Sequence, residues 1–177
     1  QMTVEIHEGN FHEIESWLND GTIDFAISGT AQEERMDWIP LKKEPYLAVC
    51  APSSAYAQGN FFDLNQLTEI PYIEEKGEED LLRQFAERNF TAPIPKFSSL
   101  NIYSMIAMAS HGLGVCILPE LVIRDTCQNI AVLPLNPPIE RILGIRLPSL
   151  RKASPASALL IAQLQKTVYE MEGPFQS

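Results

Sequence analysis

The chain has 177 residues, 45% of them hydrophobic and 20% charged, with no low-complexity tract, so it is globular and suits one ordinary domain or two small lobes sharing a backbone. Its 23 acidic residues against 13 basic ones give a net charge of −10, a surface that repels phosphate backbones and makes these residues by themselves a poor nucleic-acid binder. No apolar run approaches the ~18 residues of a membrane span, so no membrane partner is expected, and no signal peptide is visible.

Thr3–Ile6 alternates like a strand until Gly9-Asn10 breaks it. Asn10 and Glu13 make a capping-box-like start for a helix whose Phe11, Ile14 and Leu18 keep helical spacing up to Gly21. Ile23–Ile27 is a short apolar strand that runs into the small, polar loop Ser28-Gly29-Thr30. Strand, helix, strand in this order predicts a βαβ unit with parallel strands and a right-handed crossover. Trp38–Cys50 reads as extended with interruptions at Pro40 and Pro45, and its apolar part, Tyr46–Cys50, as central in a sheet.

Ala51-Pro52-Ser53-Ser54 reads as a first hinge. Beyond it the pattern predicts strand Tyr72–Glu74, helix Asp80–Asn89, strand Lys96–Ser98, helix Asn101–His111, strand Val115–Leu118 and a short helix near Leu121. Ile102, Met105, Ile106 and Ala109 share one face of the fourth of these, and Gly112 stops it. A short strand, Ala131–Leu133, leads to Asn136-Pro137-Pro138, whose stiffness suggests a second crossing between lobes. Arg141–Leu147 is another strand. Ser154 then caps, and Pro155 opens, a last helix to about Met171 with Leu160, Leu164, Val168 and Met171 on one stripe.

These elements assign residues 1–51 and 138–177 to a discontinuous first lobe and 52–137 to an inserted second one. Two α/β lobes joined by two strands make a cleft, where ligands bind. Enzymatic readings find little support. There is no GxSxG elbow to make a nucleophile of Ser28. His7, His12 and His111 lack metal-ligand spacing, and no general base is paired with a partner, so no catalytic residue, metal or cofactor is expected. Gly112-Leu113-Gly114 follows a helix instead of opening one, which excludes a dinucleotide fingerprint; Gly112 reads as a helix stop and Gly114 as a close backbone approach. The acidic run Glu74-Glu75 and Glu78-Glu79-Asp80 reads as a solvated loop and helix start. Cys50, Cys116 and Cys127 form no CxxC and read as buried, reduced thiols, in keeping with a cytoplasmic location.

What remains are polar residues where strands hand over to helices: Ser28 and Thr30 after one strand, and Ser98, Ser99 and Asn101 after another. Hydroxyls beside unpaired helix-start amides suit a carboxylate or similar anion, although for Ser99 or Asn101 taken singly, capping its own helix is the favoured reading.

Three segments in order carry a resemblance. QMTVEIHEGN followed by WLNDGTIDFAIS, then IPLKKEPYLAVCAP, then Ser98 to Pro119 with its GLGV and Leu-Pro ending together resemble the effector-binding domain of LysR-type transcriptional regulators. The resemblance implies an α/β, two-lobed type 2 periplasmic-binding-protein-like fold that binds a small inducer or co-inducer, often a carboxylate metabolite. Carried over by position, the effector contacts are Ser28, Gly29, Thr30, Ser98, Ser99 and Leu100, with the loop after Tyr72–Glu74 a weaker candidate. It also implies a homodimer or tetramer. The sequence begins where the family's second strand should begin, so it is expected to be a fragment missing the first strand and helix of lobe I, with DNA binding supplied by a winged helix-turn-helix of the parent protein. A freestanding solute-binding protein of the same fold is the alternative, and an enzyme on a similar bilobal scaffold a third class.

Overall fold

A computed structural model describes residues 3–29, 36–124 and 126–172. In chain order the elements are α1 (Phe11–Asp20), β1 (Ala26–Ser28), β2 (Asp37–Cys50), β3 (Phe62–Asp63), β4 (Tyr72–Glu75), α2 (Glu79–Glu87), β5 (Phe97–Ser99), α3 (Ile102–Ser110), β6 (Val115–Pro119), α4 (Glu120–Ile123), β7 (Ala131–Asn136), β8 (Glu140–Leu147) and α5 (Pro155–Glu172). Short 3-10 turns occupy Ala55–Gln58, Leu64–Thr68 and Leu150–Lys152. The chain forms two compact units: Gln1–Lys43 with Ile142–Ser177, and Glu44–Arg141. The units divide at 43/44 and 141/142, whereas the sequence suggested 51/52 and 137/138. The reason is β2, one unbroken strand whose second half pairs inside the second unit.

In the second unit the strands run β3-β7-β2-β6-β4-β5. β2 lies antiparallel to both β6 and β7, while β4 is parallel to β6 and to β5. Every residue of β6 is buried, as expected of a strand covered on both faces. Alternation then sorts its side chains. Val115 and Ile117 join Tyr46, Ala48 and the α2 residues Leu81 and Phe85 in one core. Cys116 and Leu118 join Val49, Ile73 and the α3 residues Met105, Ile106 and Ala109 in the other. α2 and α3 thus sandwich the sheet. Gly112 ends the α3 turn with φ +78, and a Cβ on Gly114 would lie 2.3 Å from the Pro71 carbonyl oxygen, so both glycine roles read from the sequence hold.

In the first unit α1 opens with the expected capping box: the Asn10 side chain accepts the Glu13 N–H, and Glu13 accepts the Asn10 N–H. α5 is capped by Ser154, whose Oγ accepts the Ser157 N–H at 3.1 Å. Ile161 of α5 packs with Leu41, Ile145 and Leu147. The expected βαβ unit is not formed by the described residues. Residues 3–6 are irregular, and β1 pairs antiparallel with β8, Ala26 opposite Arg146. Alternation supplies a face, but a strand also requires a neighbour for its N–H and C=O groups, and no described strand lies beside residues 3–6. A groove of about 790 Å³ lies instead between residues 3–9 and 22–27, with Leu160 and Leu164 of α5 in its wall.

Candidate functional site

The second unit places three of the six candidate contacts together. β4 and β5 run parallel with Glu74 opposite Ser98 and Glu75 opposite Ser99, and the Lys76 N–H donates to the Ser99 carbonyl at 2.9 Å. β5 ends there, and Asn101 caps α3 by accepting the Ser104 N–H at 2.9 Å. Ser99 Oγ accepts the Asn101 N–H at 3.0 Å, so it shapes the turn that presents its neighbours. Ser98 is exposed, Leu100 is 70% exposed and Tyr103, in the first turn of α3, is 74% exposed. Hydroxyls, first-turn amides and an apolar rim thus meet at the C-terminal end of a parallel strand, the position at which α/β sheets hold ligands.

The other candidates belong to the first unit. Ser28 ends β1 opposite Gly144, half-buried, and its Oγ donates to the Gly29 carbonyl at 3.2 Å. Gly29 follows in a bend, and Thr30 lies outside the described residues.

The acidic run departs from the sequence reading. Glu78 is the N-cap of α2, and its Oε1 accepts the Leu81 N–H at 3.3 Å and the Tyr46 hydroxyl at 3.0 Å. Burial raises its carboxyl above the ordinary range, against the pull of Arg141 and the Tyr46 hydrogen bond. Glu75 is raised to about 7, first by burial and then by the Glu78 charge, with Arg141 opposing. Glu78 is held by the Tyr46 hydroxyl, which reaches it from β2, and Arg141 of β8 lies over the same Tyr46 ring. That long-range arrangement was invisible in a local reading of five acidic residues.

Beneath them sits an ion pair that the sequence reading missed. Glu44 is 0% exposed; its Oε1 accepts from Arg141 Nε at 2.9 Å and its Oε2 accepts the Leu121 N–H at 2.8 Å. Pro119, the N-cap of α4, offers no side-chain hydrogen bond, so Glu44 serves that helix start from another strand. A glutamate just before the apolar stretch Tyr46–Cys50 of β2 was the available signal. Burial works against the Arg141 charge, but Glu44, with Tyr46 and Glu78 adding to it, outweighs burial and raises the pKa.

Among the described residues no group of three or more His, Cys, Asp or Glu side chains is placed to hold a metal ion. Cys50 and Cys116 are buried, with burial pushing the Cys116 thiol up to about 12, whereas Cys127 is exposed, contrary to the expectation that all three are interior. His111 is the C-cap of α3, its Nδ1 2.8 Å from the Ala107 carbonyl oxygen. No described helix is long and apolar enough to cross a membrane.

The model of the LysR substrate binding domain matches residues 1–168. The chain belongs to this family. This LysR substrate-binding domain is 29% identical over 176 residues to the uncharacterized HTH-type transcriptional regulator YvbU of Bacillus subtilis (strain 168), covering 97% of this chain and 59% of that protein. It thus spans less than two thirds of that relative's length. The effector binding domain of QuiR in complex with shikimate matches with a TM-score of 0.77 at 23% identity, over 92% of this chain and 79% of that one. The regulatory domain of Synechocystis PCC6803 CcmR in complex with 2-PG gives a TM-score of 0.77 at 15% identity, over 92% and 81%. The α/β, periplasmic-binding-protein-like fold read from the sequence is therefore borne out. The LysR domain's homologues are transcriptional regulators with ligand-binding domains, not enzymes.

Proposed function

We propose that this LysR domain binds a small carboxylate effector and reports its presence to a DNA-binding part of its parent regulator. The candidate contacts carried by the second unit are Ser98, Ser99 and Leu100, and those carried by the first are Ser28, Gly29 and Thr30. The observation that carries this reading is the end of β5, where two serines precede the capped start of α3 beside the exposed Leu100 and Tyr103. The net charge of −10 supports assigning DNA contact to another part of the parent. Shikimate, the ligand of the QuiR domain, is a small carboxylate. Effector binding favours one arrangement of the domain, and contacts between copies, as a dimer or tetramer in the cytoplasm, carry that bias onward.

Calorimetric titration with a panel of small carboxylates, shikimate included, tests the site. A ligand that binds wild type should bind the Ser99→Ala plus Thr30→Ala variant at least tenfold more weakly. Equal affinity for both removes these residues from the site.

A further inference from the structure

α2 buries Leu81 and Phe85 in the core, and Gln84 is buried beside them at 8% exposure. A buried amide is tolerated only when its polar atoms are used. Gln84 Nε2 donates to Asp80 Oδ2 at 3.0 Å and to the Glu140 carbonyl at 2.8 Å, while its Oε1 accepts from Arg88 Nη2 at 3.4 Å. Arg88, four residues on and on the same helix face, donates Nη1 to the Pro138 carbonyl at 2.6 Å. Between these two ties the Tyr46 N–H donates to the Ile139 carbonyl at 2.9 Å, and after them Arg141 bonds Glu44. Four successive residues, Pro138 to Arg141, are thus each held by the second unit, and the chain leaves that unit directly after them. An apolar side chain of similar length at position 84 would pack without partners but would hold no carbonyl.

The other end of α2 reaches the end of β5. The Ser99 carbonyl accepts the Lys76 N–H at 2.9 Å, Gly77 turns the chain with φ +90, and Glu78 caps the helix while its Oε1 accepts the Tyr46 hydroxyl at 3.0 Å. One hydrogen bond, a short loop and a nine-residue helix therefore join the Ser98–Asn101 turn to the exit segment, with a direct contact at every step. We propose that α2 is a lever between the two, and that Gln84 is the positioning residue that makes Pro138–Arg141 follow the β4–α2 loop. A shift of the turn moves Lys76, the capped helix moves with it, and Gln84 and Arg88 draw the Glu140 and Pro138 carbonyls along. That an effector supplies the shift rests on the proposed site; the link from turn to exit segment does not.

The test is a double-mutant cycle read by amide hydrogen exchange on the free chain, with the amides of β7 as the measure of global stability. Ser99→Ala removes the acceptor of the Asn101 N–H and loosens the turn. Beyond any change in β7, it should speed exchange at Ile139, Glu140 and Arg141 by about threefold or more. In the Gln84→Met background the same substitution should add nothing at these amides. A merely structural Gln84 would alter stability but leave the Ser99→Ala increment in place, and that result overturns the lever. So does an exit segment that ignores Ser99→Ala in the otherwise wild-type chain. If Gln84→Met fails to fold, Arg88→Ala, at an exposed position, cuts the Pro138 tie alone and should shrink the increment at Ile139; an unchanged increment overturns the proposal. Because no effector is added, failure here leaves the Ser98–Leu100 site standing, and failure of that site leaves the lever standing.

Discussion

Arg141 donates its Nε–H to the carboxylate of Glu44 across 2.9 Å, although 97 positions separate them in the chain and Glu44 is wholly buried. Both carboxylate oxygens are used, one by Arg141 and one by the Leu121 N–H, which is the condition under which a buried charge is tolerated.

Removing one member should therefore be costly. Arg141→Met leaves Glu44 charged and buried with a single amide donor, and is expected to lower stability by about 3–5 kcal/mol in urea unfolding at pH 7. A loss below about 1 kcal/mol would show that solvent reaches Glu44 and that the pair matters little.

Stability should also depend on pH through Glu75. Its folded value, about 7, lies above the ordinary 4.5, so the folded chain holds this proton more tightly than the unfolded one. The contribution is fully present below pH 4.5 and is lost as pH rises through 7. Its size is about 1–3 kcal/mol after allowance for partial exposure. Glu75→Gln should match wild type at acid pH and exceed its melting temperature at pH 8. A variant that melts lower than wild type at pH 8 contradicts this assignment.

Arg146 presents the opposite case. It is 1% exposed, stacks 4.8 Å from the Phe11 ring and reaches Glu15 at only 3.5 Å, while its Nε and Nη2 have no partner among the described residues. Unmade hydrogen bonds on a buried cation offset the gain of the pair. Arg146→Met is expected to leave stability unchanged or raise it by about 1 kcal/mol. A loss above about 2 kcal/mol in chemical denaturation would reveal a better partner for this guanidinium.

The two glycines after α3 should behave differently. A Cβ at Gly112 meets nothing within 4 Å and suffers only from its φ of +78, a penalty of about 1–2 kcal/mol. A Cβ at Gly114 meets the Pro71 backbone, whose carbonyl also accepts the Val115 N–H at 2.9 Å. It must displace a β4–β6 crossing at a cost of about 3 kcal/mol or more. Comparison of Gly112→Ala and Gly114→Ala by thermal melting checks the order; equal losses would mean that Pro71 yields easily.

Much of this architecture was legible because its signals are local. The Asn10–Glu13 box, the Ser154-Pro155 start and the apolar stripe of α3 each announce an element within one or two helical turns. Partnership was not legible. Nothing in residues 3–6 says that no described neighbour pairs with them, nor do the prolines of β2 reveal that it continues unbroken through 14 residues. The candidates Ser98 and Ser99 were read from their position at a strand end, and Leu100 from the family resemblance. The half-buried Glu78 escaped notice because its partner, Tyr46, arrives from a distant strand, as Arg141 does for Glu44.

The most direct test of the effector reading is a crystal structure of the domain with a carboxylate that it binds in solution. The account predicts ligand oxygens within hydrogen-bond distance of the Ser98 or Ser99 hydroxyl or the first amides of α3. A ligand seated instead in the groove beside residues 3–9, with the end of β5 untouched, would contradict it.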